Sequence, residues 1–243
     1  MPKLRLDQLL VARGLCESRE KAQRAILAGE VSTSDGRRLE KPGTQVRSDI
    51  PLELAQPPRY VGRGGLKMEG ALTHFAINPT GWTCLDIGAS TGGFTDCLLQ
   101  HGAEKVWAID VGHSQLDWKI RSDPRVIVRE KLNARYLTRE DIPDPIRLCV
   151  IDVSFISLTL ILPPAAALLT PDGMIVALIK PQFELEREAV NRGGVVKDPA
   201  EHERAIRKVE TFVTEKMERT IVGTVPSPIL GTDGNREFLT CIR

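Results

Sequence analysis

Leu85-Asp86-Ile87-Gly88-Ala89-Ser90-Thr91-Gly92-Gly93-Phe94-Thr95-Asp96 is the stretch that decides the fold. Its first part, led in by Thr83-Cys84, is an apolar run of strand length carrying one acid. Its middle is glycine-rich, and its end suits the first turn of a helix. Strand, tight loop and helix in that order open a βαβ unit, whose strands lie buried on both faces and therefore read as continuous apolar runs. Glycines let the backbone turn sharply and approach a ligand closely.

The same alternation continues on both sides. Strands are predicted at Thr83–Ile87, Lys105–Ile109, Val126–Val128, Leu148–Val153 and Met174–Ile179. Helices are predicted at Leu66–Phe75, Gly93–His101, Ser114–Arg121, Leu158–Leu169 and Pro199–Met217, the last with Asp198 as its cap and Pro199 at its first position. Two late strands, Thr220–Val225 and Glu237–Ile242, have only a loop between them and predict an antiparallel pair. The expected architecture is α/β, a mostly parallel seven-stranded sheet. An antiparallel end is typical of the class I methyltransferase version of the Rossmann-like fold.

The glycine loop is expected to hold a cofactor. A dinucleotide is one reading. Against it, the loop lacks the G-x-G-x-x-G order, and Asp86 stands before it, where a carboxylate suits a cationic amino group better than a diphosphate. S-adenosylmethionine carries both an ammonium and a sulfonium. Asp110, at the end of the next strand, can accept two ribose hydroxyls, which serves either cofactor. Asn133 follows the third strand, either near the adenine or as a turn residue. The candidate cofactor residues are Asp86, Gly88, Ser90, Thr91, Gly92, Phe94, Asp110 and Asn133.

Residues 1–57 read as a separate small α+β domain. Leu6, Leu9 and Leu10 suit a helix ending at Gly14, and Ser18 caps a second helix over Arg19–Ala28 with Gly29 as its stop. Val31–Ser34 and Arg37–Leu39 flank the hairpin signal Asp35-Gly36, and a further strand is expected within Gln45–Leu54. Residues 1–67 hold 13 Lys/Arg against 8 Asp/Glu, and the rest of the 243-residue chain holds 20 against 24. A basic end on an acidic body suits an anionic partner, nucleic acid first. Residues 58–65 follow as a basic, glycine-rich linker, stiffened just before by Gln56-Pro57-Pro58. The domain boundaries expected are 1–57, 58–65 and 66–243.

Composition excludes other classes. Cys16, Cys84, Cys97, Cys149 and Cys241 form no C-x-x-C pair, so neither disulfides nor a metal site is expected. The start has no signal-peptide apolar region, and the Leu158–Leu169 run is interrupted by Pro163-Pro164 and too short to cross a bilayer. A cytoplasmic protein with no membrane partner is expected.

Four charges remain, each beside an apolar or glycine segment: Lys67, Asp152, Lys180 and Glu237. Charges in such places are unfavourable unless paired or used. Two ordinary ion pairs would account for them. So would a neutral catalytic cluster in which Lys180 contacts a hydroxyl while Asp152 and Glu237 orient the two lysines. Asp152-Val153-Ser154-Phe155 lacks the two prolines of the Asn/Asp-Pro-Pro-Tyr/Phe segment that grips exocyclic base nitrogens, and Cys149 sits inside its strand. A ribose acceptor is therefore favoured over a base.

The N-terminal order, carried by Arg5-Leu6-Asp7, Gly14-Leu15, Ser18-Arg19, Ala22, Ile26, Gly29 and Val31, resembles a small RNA-binding domain found in a ribosomal small-subunit protein and in pseudouridine synthases. The resemblance implies that a basic face docks on RNA phosphates, with Arg5, Arg13, Arg19, Lys21 and Arg24 as candidates, joined by Arg59 and Arg63 of the linker. The four charges in their order resemble the Lys-Asp-Lys-Glu tetrad of Rossmann-like RNA ribose methyltransferases. With Arg63-Gly64-Gly65-Leu66-Lys67, Lys180-Pro181-Gln182-Phe183-Glu184 and Gly234-Asn235-Arg236-Glu237, the whole chain resembles the TlyA, or haemolysin-A-like, family. That resemblance implies an S-adenosylmethionine-dependent ribosomal RNA 2′-O-methyltransferase acting on cytidine, with the ribosomal subunit as partner. The alternatives are a non-catalytic RNA-binding or assembly protein, and a cytolysin, as the family's name suggests. Phe183–Lys197 is expected either to close over the site or to be a plain surface loop.

Overall fold

The computed structural model describes residues 2–55, 58–191 and 193–243. The expected stiff dipeptide Gln56-Pro57 lies outside the described residues. The chain divides into two compact units, Met1–Pro58 and Arg59–Arg243.

The first unit runs β1 (Lys3–Arg5), α1 (Leu6–Ala12), α2 (Arg19–Leu27), β2 (Val31–Thr33), β3 (Gln45–Arg47) and β4 (Leu52–Leu54). Ser18 caps α2, its hydroxyl accepting from the Lys21 amide at 3.2 Å. Leu6, Leu9, Leu10, Ala22, Ile26 and Val31 close a small core. Two short antiparallel ladders, β1–β3 and β2–β4, cover it. The Asp35-Gly36 turn forms, with Gly36 at φ +83°, but its second arm reaches β2 through one isolated bridge, Ser32 to Arg38. The full partner of β2 is β4 instead. The expected strand within Gln45–Leu54 is two strands, β3 and β4, with different partners.

A carboxylate organises this unit. Asp7 is fully buried and accepts from Arg5 (3.1 Å twice), Arg19 Nε (2.9 Å) and Gln23 Nε2 (3.0 Å). The Arg5 guanidinium holds the Asp7 carboxyl well below the ordinary range; burial opposes this, and Gln23 and Arg19 add to it. A depressed carboxyl contributes stability that is complete above its unfolded value near about pH 3.9 and is lost as pH falls through the folded value. Asp7→Ala is expected to cost this unit about 2–3 kcal/mol at pH 7, a partly screened buried pair. It should also flatten the unit's acid dependence below about pH 4. All three tryptophans (Trp82, Trp107, Trp118) lie in the second unit, so the measurement is hydrogen exchange of the α1 and α2 amides.

The second unit runs α3 (Gly64–His74), β5 (Thr83–Ile87), α4 (Gly93–Gln100), β6 (Lys105–Asp110), α5 (Trp118–Arg121), β7 (Val126–Glu130), β8 (Ile146–Ile151), α6 (Leu162–Ala167), β9 (Leu169–Ile179), α7 (Pro181–Glu184), α8 (Pro199–Lys216), β10 (Ile221–Pro226) and β11 (Phe238–Ile242). The sheet order is β10-β11-β9-β8-β5-β6-β7. The five strands from β9 through β8, β5 and β6 to β7 are parallel, and β11 is antiparallel to both β9 and β10. One face packs Met68, Leu72, Phe94 and Leu98 against Cys84, Val106 and Leu148. The other packs Leu162, Ala205, Val209 and Val213 against Leu85, Ile87 and Ile151.

Four elements differ from expectation, β9 among them, which begins at Leu169 and not at Met174. The helix expected at Leu158–Leu169 is a 3-10 turn, Leu158–Leu160, followed by α6. Proline lacks an amide hydrogen and fits only a first helical turn, so Pro163-Pro164 restarts the helix there. The helix expected from Ser114 begins at Trp118, capped by Asp117, whose carboxylate accepts from the Lys119 amide at 2.8 Å. Arg59–Gly65, expected as linker, belongs to the second unit: Tyr60 is buried, the Val61 amide donates to Asp96 at 2.9 Å, and α3 already starts at Gly64.

Candidate active site

Parallel strands end on one edge of the sheet, and the loops leaving that edge line a trough, as ligand sites of open α/β sheets do. The trough has two parts that share Gly88, Ser90, Asp152 and Ser154. The first, about 430 Å³, is lined by Gly62, Thr91, Phe94 and the four charged candidates. The second, about 450 Å³, is lined mainly by apolar side chains, among them Ile109, Leu132, Val153 and Ile156, with Asp110 and Asn133 also on its wall.

The loop that walls this space packs too closely for side chains. Gly88 has φ +85°, and a Cβ there would stand 2.4 Å from the Asp152 carbonyl oxygen. A Cβ on Gly62 would meet Thr91 Oγ1 at 2.5 Å, and one on Gly93 the Gly65 nitrogen at 2.8 Å. Asp110 fastens the loop to β6, accepting from the Ser90 amide at 2.9 Å and the Gly112 amide at 2.8 Å. Each carboxylate oxygen keeps a second lone pair for a ligand.

The expected cofactor residues divide. Gly88, Ser90, Thr91, Phe94, Asp110 and Asn133 line the trough. Asn133 also caps the following 3-10 turn, accepting from the Arg135 amide at 3.1 Å. Asp86 and Gly92 do not line it. Asp86 is fully buried beneath the loop, Oδ2 accepting from Thr95 Oγ1 at 2.6 Å, while Oδ1 has no hydrogen-bond partner among the described residues. Burial raises its carboxyl to about 7, the Thr95 hydroxyl pulling down and the Asp152 charge pushing up. Asp86 thus stands behind the loop and not on the trough wall; strand alternation turns it with Cys84 toward α4, one residue short of the open loop. Gly92, at φ +95°, starts α4 and faces Leu116 and Ile120.

The four charges converge in the first part of the trough. Asp152 lies one residue past β8, its amide donating to the Ile87 carbonyl at 3.0 Å. Lys180 follows β9, and Glu237 precedes β11. Because β11 is antiparallel to β9, with Phe238 opposite Ile179, the end of one strand and the start of the other fall side by side. Lys67 reaches in from the first turns of α3. Lys180 Nζ is 2.6 Å from Asp152 Oδ1, Lys67 Nζ is 3.8 Å from Asp152 Oδ2, and Lys67 Nζ is 2.6 Å from Glu237 Oε2. The result is a connected row, Lys180–Asp152–Lys67–Glu237, formally neutral and largely withdrawn from water. Such a row tolerates burial, and it presents an amine and carboxylates where an incoming hydroxyl would sit.

Several supporting residues escaped the sequence reading. Lys180 Nζ also donates to Ser154 Oγ at 2.9 Å. Glu184 is buried and joins two loops, accepting from Ser157 Oγ at 2.5 Å and from the Leu158 amide at 2.7 Å. Asn235 is buried and ties residues 194–196 to the segment before Glu237, accepting from the Val196 amide and donating to the Gly194 carbonyl, each at 2.9 Å. A Cβ on Gly231 would stand 2.5 Å from Glu237 Oε1, so that glycine makes room for the carboxylate. The signals were in the sequence as Ser154, Asn235 and Glu184 within quoted motifs, but one-dimensional order does not say which loop each will brace.

The basic candidates are unequally free. Arg5 and Arg19 lean on Asp7, Arg13 donates to the Ser48 and Ile50 carbonyls at 2.5 Å each, and Lys21 pairs with Glu17 one turn away. Arg24 is exposed on α2. In the second unit Arg59 pairs with Glu69, and Arg63 is exposed on the wall of the trough.

The FtsJ-like methyltransferase family profile matches residues 60–243, and the S4 domain profile matches residues 4–49. A Bacillus subtilis protein provisionally named the rRNA methyltransferase YqxC is 49% identical over 239 residues, 98% of this chain and 84% of that one. The 16S/23S rRNA (cytidine-2'-O)-methyltransferase TlyA of Mycobacterium tuberculosis is 44% identical, over 99% of this chain and 90% of that one. A solved Streptococcus thermophilus structure, provisionally named a hemolysin, superposes with a TM-score of 0.75 at 44% identity, over 100% of this chain and 88% of that one.

Proposed function

The chain belongs to the FtsJ-like methyltransferase family, in its S4-bearing TlyA/hemolysin-like branch, and from that premise we propose that it transfers a methyl group from S-adenosylmethionine to the 2′-oxygen of a cytidine in ribosomal RNA. The observation that carries the proposal is the row Lys180–Asp152–Lys67–Glu237 opening onto the glycine-loop trough.

The trough fits the cofactor on its own chemistry. The apolar part suits the adenine, with Asp110 lone pairs for the ribose hydroxyls and Asn133 at hand. Gly88 lets the loop pack closely against Asp152, and Gly62 lets Thr91 of the loop pack closely in turn, which places the loop as a wall beside the charged row. When bound, S-adenosylmethionine supplies an electrophilic methyl group whose sulfur departs with the C–S electron pair. The residues do the rest. Lys180 holds the acceptor hydroxyl and takes its proton as the oxygen becomes nucleophilic. Asp152 fixes Lys180 and bridges it to Lys67; Glu237 holds Lys67. Holding the acceptor in line is the larger contribution, since methyl transfer needs little covalent help from protein. The first unit supplies phosphate contacts that bring RNA to the enzyme without reading its sequence.

The test uses the chemistry of the product. A 2′-O-methyl group removes the nucleophile that cleaves RNA in alkali. Ribosomal RNA treated with the protein and S-adenosylmethionine should gain one alkali-resistant linkage 3′ to a cytidine, with a mass increase on its ribose. A methyl group on a base, with the ladder unbroken by any resistant step, would overturn the assignment.

A further inference from the structure

The ammonium of Lys180 has two protein partners that differ in kind. One is the Asp152 carboxylate at 2.6 Å, and the other is the neutral Ser154 hydroxyl at 2.9 Å. Lys67, by contrast, lies between two carboxylates, Glu237 at 2.6 Å and Asp152 at 3.8 Å. Lys180 Nζ donates a hydrogen bond to Ser154 Oγ, whereas its approach to Asp152 Oδ1 is an ion pair without hydrogen-bond alignment, so Ser154 is the group that fixes the direction of an N–H; both Ser154 and Lys180 line the trough.

We propose that Ser154 is a positioning residue for Lys180: the hydrogen bond to its hydroxyl fixes the rotation of the amine about its last carbon bond, with the Asp152 charge beside it, so that an open tetrahedral position faces the acceptor hydroxyl. This rests on Lys180 as the proton acceptor. As an amine, Nζ donates one hydrogen to Ser154, keeps the Asp152 carboxylate beside it, and aims its lone pair at the acceptor. The 2′-O–H bond breaks, an N–H bond forms at that lone pair, and the ammonium keeps the same two partners. No rotation is needed at the moment of transfer, which is what preorganisation contributes.

The backbone around Ser154 is arranged to hold it there. The next residue, Phe155, has φ +63°, a conformation that costs an aromatic residue free energy and persists only where its surroundings impose it. Glu184 supplies the hold, gripping Ser157 and Leu158 just downstream, while the exposed Phe155 ring lies 5.0 Å from that of Phe183, between Lys180 and Glu184. The turn that presents Ser154 is thus fastened to the segment that follows Lys180.

Single-turnover methylation of ribosomal RNA at saturating S-adenosylmethionine tests this. S154A should lower the rate about tenfold, the value of one positioned hydrogen bond, while KM for RNA and Kd for the cofactor stay within about twofold. S154T, which keeps the hydroxyl, should recover most of the rate. In the K180M background S154A should change nothing further, because both act on one nitrogen. A wild-type rate for S154A, a loss appearing in KM or Kd instead, or S154T no better than S154A would overturn the proposal. If K180M itself transfers at the wild-type rate, the reading of Lys180 as proton acceptor fails; if K180M is inactive and S154A is unaffected, only the role of Ser154 fails.

Discussion

Lys180→Met is expected to reduce methyl transfer by about 10³-fold or more while leaving S-adenosylmethionine affinity within about threefold. General base catalysis by a positioned side chain is worth about 10²–10⁴ in rate. Methionine has nearly the length of lysine and packs in the same withdrawn space, so the loss is of the nitrogen rather than of volume. The change leaves Asp152 without its 2.6 Å partner, though Lys67 remains at 3.8 Å and the carboxylate is about one-fifth exposed. Stability should therefore fall only modestly. The companion variant Lys180→Arg separates two roles. Arginine keeps the charge beside Asp152 but does not give up a proton in proteins. If Lys180 accepts the hydroxyl's proton, Lys180→Arg is as inactive as Lys180→Met. Transfer by Lys180→Arg near the wild-type rate would make Lys180 an electrostatic partner and not a base, and transfer by Lys180→Met would remove it from the chemistry. Rapid-quench assays on ribosomal RNA give the rates, and titration calorimetry gives the cofactor affinity.

The parts of this site that were legible in sequence are those where an apolar strand ends abruptly in a charge or a glycine. Asp110, Asp152 and Lys180 end such strands and Glu237 begins one; parallel topology then forces three of these ends to one edge, and the antiparallel β11 brings its start there too. The same logic did not show that Asp86 would lie off the trough wall. It occupies a strand position, not a position after the strand, and alternation buries it under α4 with Thr95. The Arg59–Gly65 segment was misread for the opposite reason. Its glycines suggest a loose linker, yet they are small because other groups need the space: a Cβ on Gly65 would lie 2.2 Å from the Tyr60 ring, and one on Gly62 would meet Thr91. Composition records that a residue is small without recording what fills the vacated volume. In the first unit, likewise, counting basic residues overstated their freedom, because Asp7 and two backbone carbonyls already hold three of the arginines.

The second large effect is expected at a glycine with no functional group. Gly88 is pinned on both sides: its amide donates to the Ile109 carbonyl at 2.9 Å, and the Ile87 carbonyl before it accepts from the Asp152 amide at 3.0 Å. A methyl group there would stand 2.4 Å from the Asp152 carbonyl oxygen and 3.0 Å from its carbon, both backbone atoms of a neighbouring central strand end. Neither wall can rotate away as a side chain would. Gly88→Ala must therefore spread β5 from β8 at the trough, on top of the cost of a left-handed backbone for a residue with a Cβ. The two penalties are about 1–2 kcal/mol for the conformation and about 1–3 kcal/mol for overpacking. The expected result is a melting temperature lower by roughly 5–10 °C. Cofactor affinity should fall at least about a hundredfold, since the same displacement moves the loop and Asp152 together. Gly81→Ala is the matched control. Gly81 has φ +73° with nothing within 4 Å of its missing Cβ, so it carries the conformational cost alone and should bind the cofactor normally. Calorimetric titration of the two folded variants decides the matter. Equal, near-normal cofactor binding by both would mean that the approach of Gly88 to Asp152 does not shape the cofactor site, whereas loss confined to Gly88→Ala ties the glycine loop and the catalytic row into one mechanical unit.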